Sequence, residues 1–157
     1  MGQVDFDPAS LPCTLDGEVI DRELTAGGET RRVTCLSVGN PHCVIFCDRV
    51  DAVDVPRVGA LFEHAEAFPD RINVEFVRVV NPSTLKMRVW ERGNGETLAC
   101  GTGACAGAVA AMRLGLCRSD GDVTVKLPGG DLHVRVEDGH VMLTGDAAFV
   151  YEGEVEI

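Results

Sequence analysis

The stretch Leu98-Ala99-Cys100-Gly101-Thr102-Gly103-Ala104-Cys105-Ala106-Gly107-Ala108-Val109-Ala110-Ala111-Met112-Arg113-Leu114-Gly115-Leu116 carries a single charged residue, Arg113. Helical spacing predicts a helix from Gly101 to about Leu116, with Cys105, Ala108, Val109, Met112 and Leu116 on one face. Such a helix is apolar around most of its circumference and must be buried on nearly all sides. Its small residues let strands approach closely. The expected fold is therefore α+β: a curved, mainly antiparallel, barrel-like sheet wrapped around a central buried helix. The same stretch also bears on chemistry. Cys100 follows a glycine-rich loop and precedes the helix start, where unpaired N–H groups favour thiolate. Those N–H groups can also hold a carboxylate.

The rest of the chain supplies the sheet. Leu85, Met87 and Val89 alternate with Lys86 and Arg88; Val123, Val125 and Leu127 alternate likewise, as do Leu132, Val134 and Val136. Pro128-Gly129-Gly130 makes the last two runs a hairpin, and Asp138-Gly139 turns into His140-Val141-Met142-Leu143. Further strands are expected at 31–38, 42–47 and 72–80, with a last one at 149–155. A second helix is expected from about Asp54, as N-cap, to Ala67, with Pro56 in its first turn and Phe68-Pro69-Asp70 stopping it. Its apolar positions are Val58, Leu61, Phe62 and Ala65. No linker, repeat or low-complexity segment interrupts the pattern, so one domain is expected over residues 1–157.

Composition narrows the function classes. The chain has 157 residues, 45% hydrophobic and 25% charged, which describes a globular domain able to bury a core. A net charge of −11 argues against nucleic acid as a partner, since phosphates call for a basic surface. No apolar run is long enough to span a membrane. Met1-Gly2-Gln3-Val4-Asp5 lacks the basic start of a secretory leader. Seven cysteines, an odd number with no CxxC pair, point to free thiols in a reducing cytoplasm. The four histidines are scattered without zinc-site spacing, so no metal is expected.

Several motifs admit two readings. The 101–107 glycine spacing matches a dinucleotide loop, but that motif needs a βαβ unit, whereas here antiparallel hairpins follow. Cys35, Cys43, Cys47, Cys105 and Cys117 read as small buried hydrophobes. Cys100 stands apart by position. Glu91-Arg92 is either a strand-end charge pair or part of a site approached by the glycine loop. Gly39-Asn40-Pro41-His42 is first a turn, yet the Asn40 amide offers both a donor and an acceptor to an amino-acid ligand. Asn73 sits in an otherwise apolar strand start, Ile72-Asn73-Val74-Glu75-Phe76, and needs a partner if buried.

Taken together, Gly39-Asn40-Pro41-His42, Phe68-Pro69-Asp70-Arg71-Ile72-Asn73-Val74-Glu75-Phe76, Glu91-Arg92-Gly93-Asn94-Gly95-Glu96-Thr97 and Ala99-Cys100-Gly101-Thr102-Gly103 resemble the C-terminal half of the diaminopimelate epimerases. Pro128-Gly129-Gly130 and Val150-Tyr151-Glu152-Gly153-Glu154 fit as well, so the resemblance covers essentially the whole chain. It implies a cofactor-free epimerase of lysine and peptidoglycan biosynthesis that interconverts LL- and meso-diaminopimelate with two cysteines. One takes the α-proton from one face and the other returns it on the opposite face. By this resemblance Cys100 is one of the two. The N–H groups of Gly101 and Thr102 hold the α-carboxylate, and Glu91 and Arg92 bind substrate, Arg92 at the distal carboxylate. Asn40 and Asn73 contact the distal amino-acid end, and His42 lies close to the catalytic thiol.

The family enzyme has two pseudo-equivalent halves, and the other half supplies the second cysteine from a Cys-Gly-Asn-Gly loop that does not occur here. Cys105 is no substitute: it lies more than a turn beyond Cys100, on the packed face. The resemblance therefore implies an N-terminal half, or a second copy of the chain, as partner, and inactivity alone. The competing expectations are a non-catalytic amino-acid-binding or self-associating module, or half of a related amino-acid racemase.

Overall fold

The computed structural model describes residues 1–156. The described residues form ten strands and two α-helices, with two short 3-10 turns between them. The strands are β1 (Gly2–Gln3), β2 (Arg22–Ala26), β3 (Glu29–Ser37), β4 (Pro41–Phe46), β5 (Asn73–Asn81), β6 (Thr84–Glu91), β7 (Gly95–Thr97), β8 (Val123–Leu127), β9 (Gly130–Glu137) and β10 (His140–Thr144). The helices are α1 (Val55–Glu63) and α2 (Gly101–Arg113). One sheet runs in the order β1-β10-β9-β8-β6-β5-β4-β3-β2, with β7 added to β6. Among the described residues, β4–β5 and β6–β8 pair in parallel and the other neighbours antiparallel.

The sheet wraps without closing. An isolated bridge, Asp5–Ser37, joins the segment after β1 to β3, but β1 and β2 remain the two ends of an open sheet. The barrel-like expectation is corrected to that extent. Period-two alternation then divides the core. Leu36, Val44, Val77, Met87 and Val89 face α2, whose residues from Gly103 to Ala111 are all buried. Val33, Cys35, Cys43, Val74 and Phe76 face the other way, toward α1 and its Val58 and Phe62. This parity puts His42, Asn73 and Glu75 on the α2 side: His42 pairs with Asn73, and Val44 pairs with Glu75.

Both helices are shorter than their patterns predict. Helix α2 ends at Arg113 because Gly115, with φ of 69°, takes the left-handed position that a Schellman closure requires. The Leu116 N–H then bonds the Ala111 carbonyl at 2.8 Å, and the Gly115 N–H bonds that of Met112 at 3.0 Å. Leu116 consequently leaves the apolar face and is 40% exposed. Asp54 does cap α1, accepting the Arg57 N–H at 3.3 Å, but the helix stops at Glu63. Ala65 and Phe68 are buried in the turns that follow.

At the hairpins, Asp138 and Gly139 both have positive φ, 48° and 77°, as a tight two-residue turn demands. The expected last strand does not form. Residues 145–156 carry no regular structure, because β1 already occupies the free edge of β10. Phe149, Val150, Tyr151 and Val155 stand more than 80% exposed. Strands β1 and β2 escaped the pattern: β1 has two residues, and β2 is an edge strand with mostly exposed side chains.

Candidate active site

Cys100 is the N-cap of α2. Its backbone is extended (φ −141°, ψ 113°), and its Sγ accepts the Gly103 N–H at 3.3 Å. The Ala104 N–H goes to the Cys100 carbonyl at 2.9 Å. The N–H groups of Gly101 and Thr102 are then left without an intrahelical acceptor, as at any helix start. They belong to the two residues between the half-buried Cys100 and the Gly103 that it caps. Gly103 is required here: a Cβ would come within 2.9 Å of Glu75 Oε1 and 3.3 Å of the Cys100 sulfur.

The thiol's acidity departs from the reading based on helix-end field alone. Burial pushes the Cys100 thiol above its ordinary value, and hydrogen bonds from Thr102 and Gly103 pull it back only in part. Glu75 and Glu91 add a further upward push through their charge. Cys105 is completely buried on the helix, its thiol pushed up to about 11, chiefly by desolvation. All seven cysteines are free thiols.

Two more of the predicted residues, His42 and Asn40, reach this helix end from β4 and the turn before it, and meet the predicted Thr102 there with Glu75 behind them. His42 and Glu75 are both fully buried, with Nδ1 and Oε1 2.7 Å apart. His42 Nε2 faces Asn40 Oδ1 at 3.0 Å, and Asn40 Nδ2 donates to Thr102 Oγ1 at 3.3 Å. Thr102 Oγ1 in turn lies 3.5 Å from the Cys100 sulfur. A continuous chain therefore runs from Glu75 to the thiol.

Asn73 serves the scaffold. Its Nδ2 donates to the Pro41 carbonyl at 2.8 Å, and its Oδ1 accepts the Arg92 N–H at 3.0 Å. Both polar ends are used internally, tying the turn before His42 to the 91–95 segment. That segment is a tight hairpin more than a loop: Glu91 pairs with Gly95 across β6 and β7, and the Asn94 N–H bonds the Glu91 carbonyl at 3.0 Å. Glu91 accepts the Thr97 hydroxyl at 2.5 Å. Arg92 is partly exposed, and its guanidinium donates to the Asp70 carbonyl at 3.2 Å.

Two residues were not singled out from sequence. Glu63, 2% exposed, accepts the Trp90 indole N–H at 2.6 Å and the Gly93 N–H at 2.9 Å, with Arg71 at 3.4 Å. It clamps the hairpin that bears Glu91 and Arg92. Glu75 was legible as a charged residue on the inward alternation Asn73, Glu75, Val77, where an apolar side chain is the norm.

Comparison with known proteins agrees with this architecture. Over 161 residues the chain is 50% identical to the diaminopimelate epimerase of Synechococcus elongatus, covering 100% of this chain and 57% of that protein. It is 48% identical over 162 residues to the diaminopimelate epimerase of Synechocystis, with the same coverage. The chain thus spans little more than half the length of the curated relatives it matches. Among solved structures, a hydroxyproline epimerase from Agrobacterium vitis, with trans-4-hydroxy-L-proline bound, superposes with a TM-score of 0.54 at 12% identity. It covers 79% of this chain and 44% of that one, a likeness of fold alone. The family model for diaminopimelate epimerase matches residues 34–150, from mid-β3 through the Cys100 helix and on past β10, and the chain belongs to that family.

Proposed function

We propose that this chain is the C-terminal catalytic half of a diaminopimelate epimerase, with Cys100 as one of two thiols that move the substrate's α-proton between faces. The observation that carries the reading is the sulfur capping α2 beside two unengaged N–H groups. An α-hydrogen next to a carboxylate is a very weak acid, so the developing carbanion needs fixed dipoles in a water-poor pocket. The N–H groups of Gly101 and Thr102 supply them at the α-carboxylate. Cys100 as thiolate removes the proton from one face while a thiol on the other half delivers a proton to the opposite face. In the reverse direction the roles exchange, and no cofactor is called for. Glu91 and Arg92 face the substrate's distal end, with Arg92 exchanging the Asp70 carbonyl for a carboxylate. Asn40 and Asn73 contact the substrate's distal amino-acid end, and His42 supports them beside the thiol.

The missing half of the site defines the partner. Leu98, 70% exposed two residues before Cys100, and the apolar side chains of Phe149 and Tyr151 leave surface for another unit to cover. An N-terminal half, absent from these 157 residues, supplies the second thiol. The free thiols suit a reducing cytoplasm. Incubation with LL-diaminopimelate tests the reading: the chain alone yields no meso isomer, and adding the N-terminal portion of a relative restores conversion. Full conversion by the chain alone, or none after reconstitution, overturns it.

A further inference from the structure

The buried carboxylate behind the thiol is unexplained by its fold. Glu75 is fully buried; among the described residues its Oε2 has no hydrogen-bond partner and its Oε1 meets only the His42 ring. A charge so placed costs stability that a valine in the same position does not. The hydrogen bonds around it constrain where protons sit. As oriented, Asn40 Nδ2 donates to Thr102, so Asn40 Oδ1 must accept and His42 Nε2 must carry a proton. Thr102 receives that donation and is free to direct its hydroxyl proton at the Cys100 sulfur. One further proton lies between His42 Nδ1 and Glu75 Oε1. With it the pair is neutral, and the donors run toward Cys100, the arrangement a thiolate needs.

Rotating the Asn40 amide by half a turn reverses every link. The thiol then donates to Thr102, Thr102 to Asn40, Asn40 to a bare His42 Nε2, and His42 Nδ1–H to an ionised Glu75. The two arrangements contain the same number of protons and the same total charge. In one the negative charge is on sulfur; in the other it is on the carboxylate. We propose that Glu75 is a positioning residue that shares one negative charge with Cys100 through His42, Asn40 and Thr102, so that the thiol loses its proton as the His42–Glu75 pair gains one. This rests on the reading of Cys100 as a proton-transfer group. No proton passes through the amide, which only reorients. Other ionisable groups near these ends are Glu91 and Cys105 around Cys100, and Cys43, which feels the Glu75 charge from the opposite face of the sheet.

Two coupled sites titrate as a pair. Alkylation of Cys100 by iodoacetamide, followed across pH on its own peptide by mass spectrometry, is therefore expected to rise in two steps separated by a plateau. Glu75→Gln removes the second place for the charge, and Thr102→Val cuts the chain; each is expected to give a single rise. A single rise in the unaltered chain, or a plateau that persists in both variants, overturns the proposal. Where a variant does not fold, ¹⁵N resonances of the His42 ring decide. Blocking Cys100 confines the charge to the pair, so Nε2 is expected to move toward the unprotonated form at plateau pH, and unchanged ring resonances overturn the coupling. Neither readout uses diaminopimelate, so failure of the epimerase reading and failure of the coupling are separate results.

Discussion

The Cys100 sulfur and the Gly103 N–H lie 3.3 Å apart, so the candidate proton-transfer group is also the cap of the helix that positions it. Replacing a capping side chain by alanine costs about 1 kcal/mol, whereas serine retains an acceptor. Urea unfolding of Cys100→Ala is expected to show that loss, and Cys100→Ser to lie within about 0.5 kcal/mol of the parent. Equal losses in both variants deny the sulfur its capping role.

Gly103 and Gly107 are one helical turn apart and differ in what surrounds them. At Gly103 a methyl group meets the buried Glu75 carboxylate at 2.9 Å, while at Gly107 it meets Val77 and the flexible Met87 sulfur at 3.3 and 3.4 Å. Gly103→Ala is expected to destabilise by about 1–3 kcal/mol, the cost of overpacking. Gly107→Ala is expected within about 1 kcal/mol of neutral, because alanine's helix propensity offsets the crowding. Melting temperatures of the two variants check the contrast; the reverse order contradicts the packing described.

Trp90 is the only tryptophan, and its indole N–H donates to Glu63. Glu63→Ala removes the acceptor of that N–H and of the Gly93 N–H, at about 1–2 kcal/mol because both bonds are only part-buried and water can replace the carboxylate. Intrinsic fluorescence reports this one side chain. A red shift in the folded variant is expected as water replaces the carboxylate, and an unchanged spectrum contradicts the clamp.

The buried thiols also fix the alkaline limit of stability. Cys105 keeps its proton up to about 11 when folded, against an ordinary value of 9.0. Above pH 9 the unfolded chain binds fewer protons than the folded one, so stability falls as pH rises, by up to about 1.4 kcal/mol per unit for each such group. The decline from this thiol begins near 9 and is complete near 11. Cys100, Cys13, Cys47 and Cys117 are shifted in the same direction, mainly by burial, and steepen it. Denaturant midpoints measured from pH 8 to 11 are expected to fall throughout, and Cys105→Ala to flatten the slope.

Much of this was written in the sequence. The small-residue run of α2 dictates its burial, and alternation gives most of the strands and assigns each face. Cys100 at the helix start and the ordered motifs led to the correct family. Other features depend on tertiary context. Gly115 ends α2 early, a choice the apolar periodicity does not register. Residues 149–155 alternate like a strand, but the edge beside β10 is taken by a segment 140 residues away. Asn73 reads as a ligand contact, and its bonds to the Pro41 carbonyl and the Arg92 N–H emerge only from the folded arrangement. Helix-end field suggested an acidified thiol, but desolvation outweighs it, and burial is not readable from local spacing. Glu75 was visible as a charge on an inward face, yet its pairing with His42 depends on the parallel register of β4 and β5.

The central claim is that Cys100 exchanges the substrate's α-hydrogen. The most direct measurement is deuterium incorporation at the α-carbon of diaminopimelate in D₂O, with the chain reconstituted with the N-terminal portion of the Synechococcus elongatus relative. The account predicts exchange by the parent and a loss of about 10²–10⁴-fold, the usual worth of a positioned acid or base, in Cys100→Ala. Undiminished exchange in that variant, shown to be folded, contradicts it.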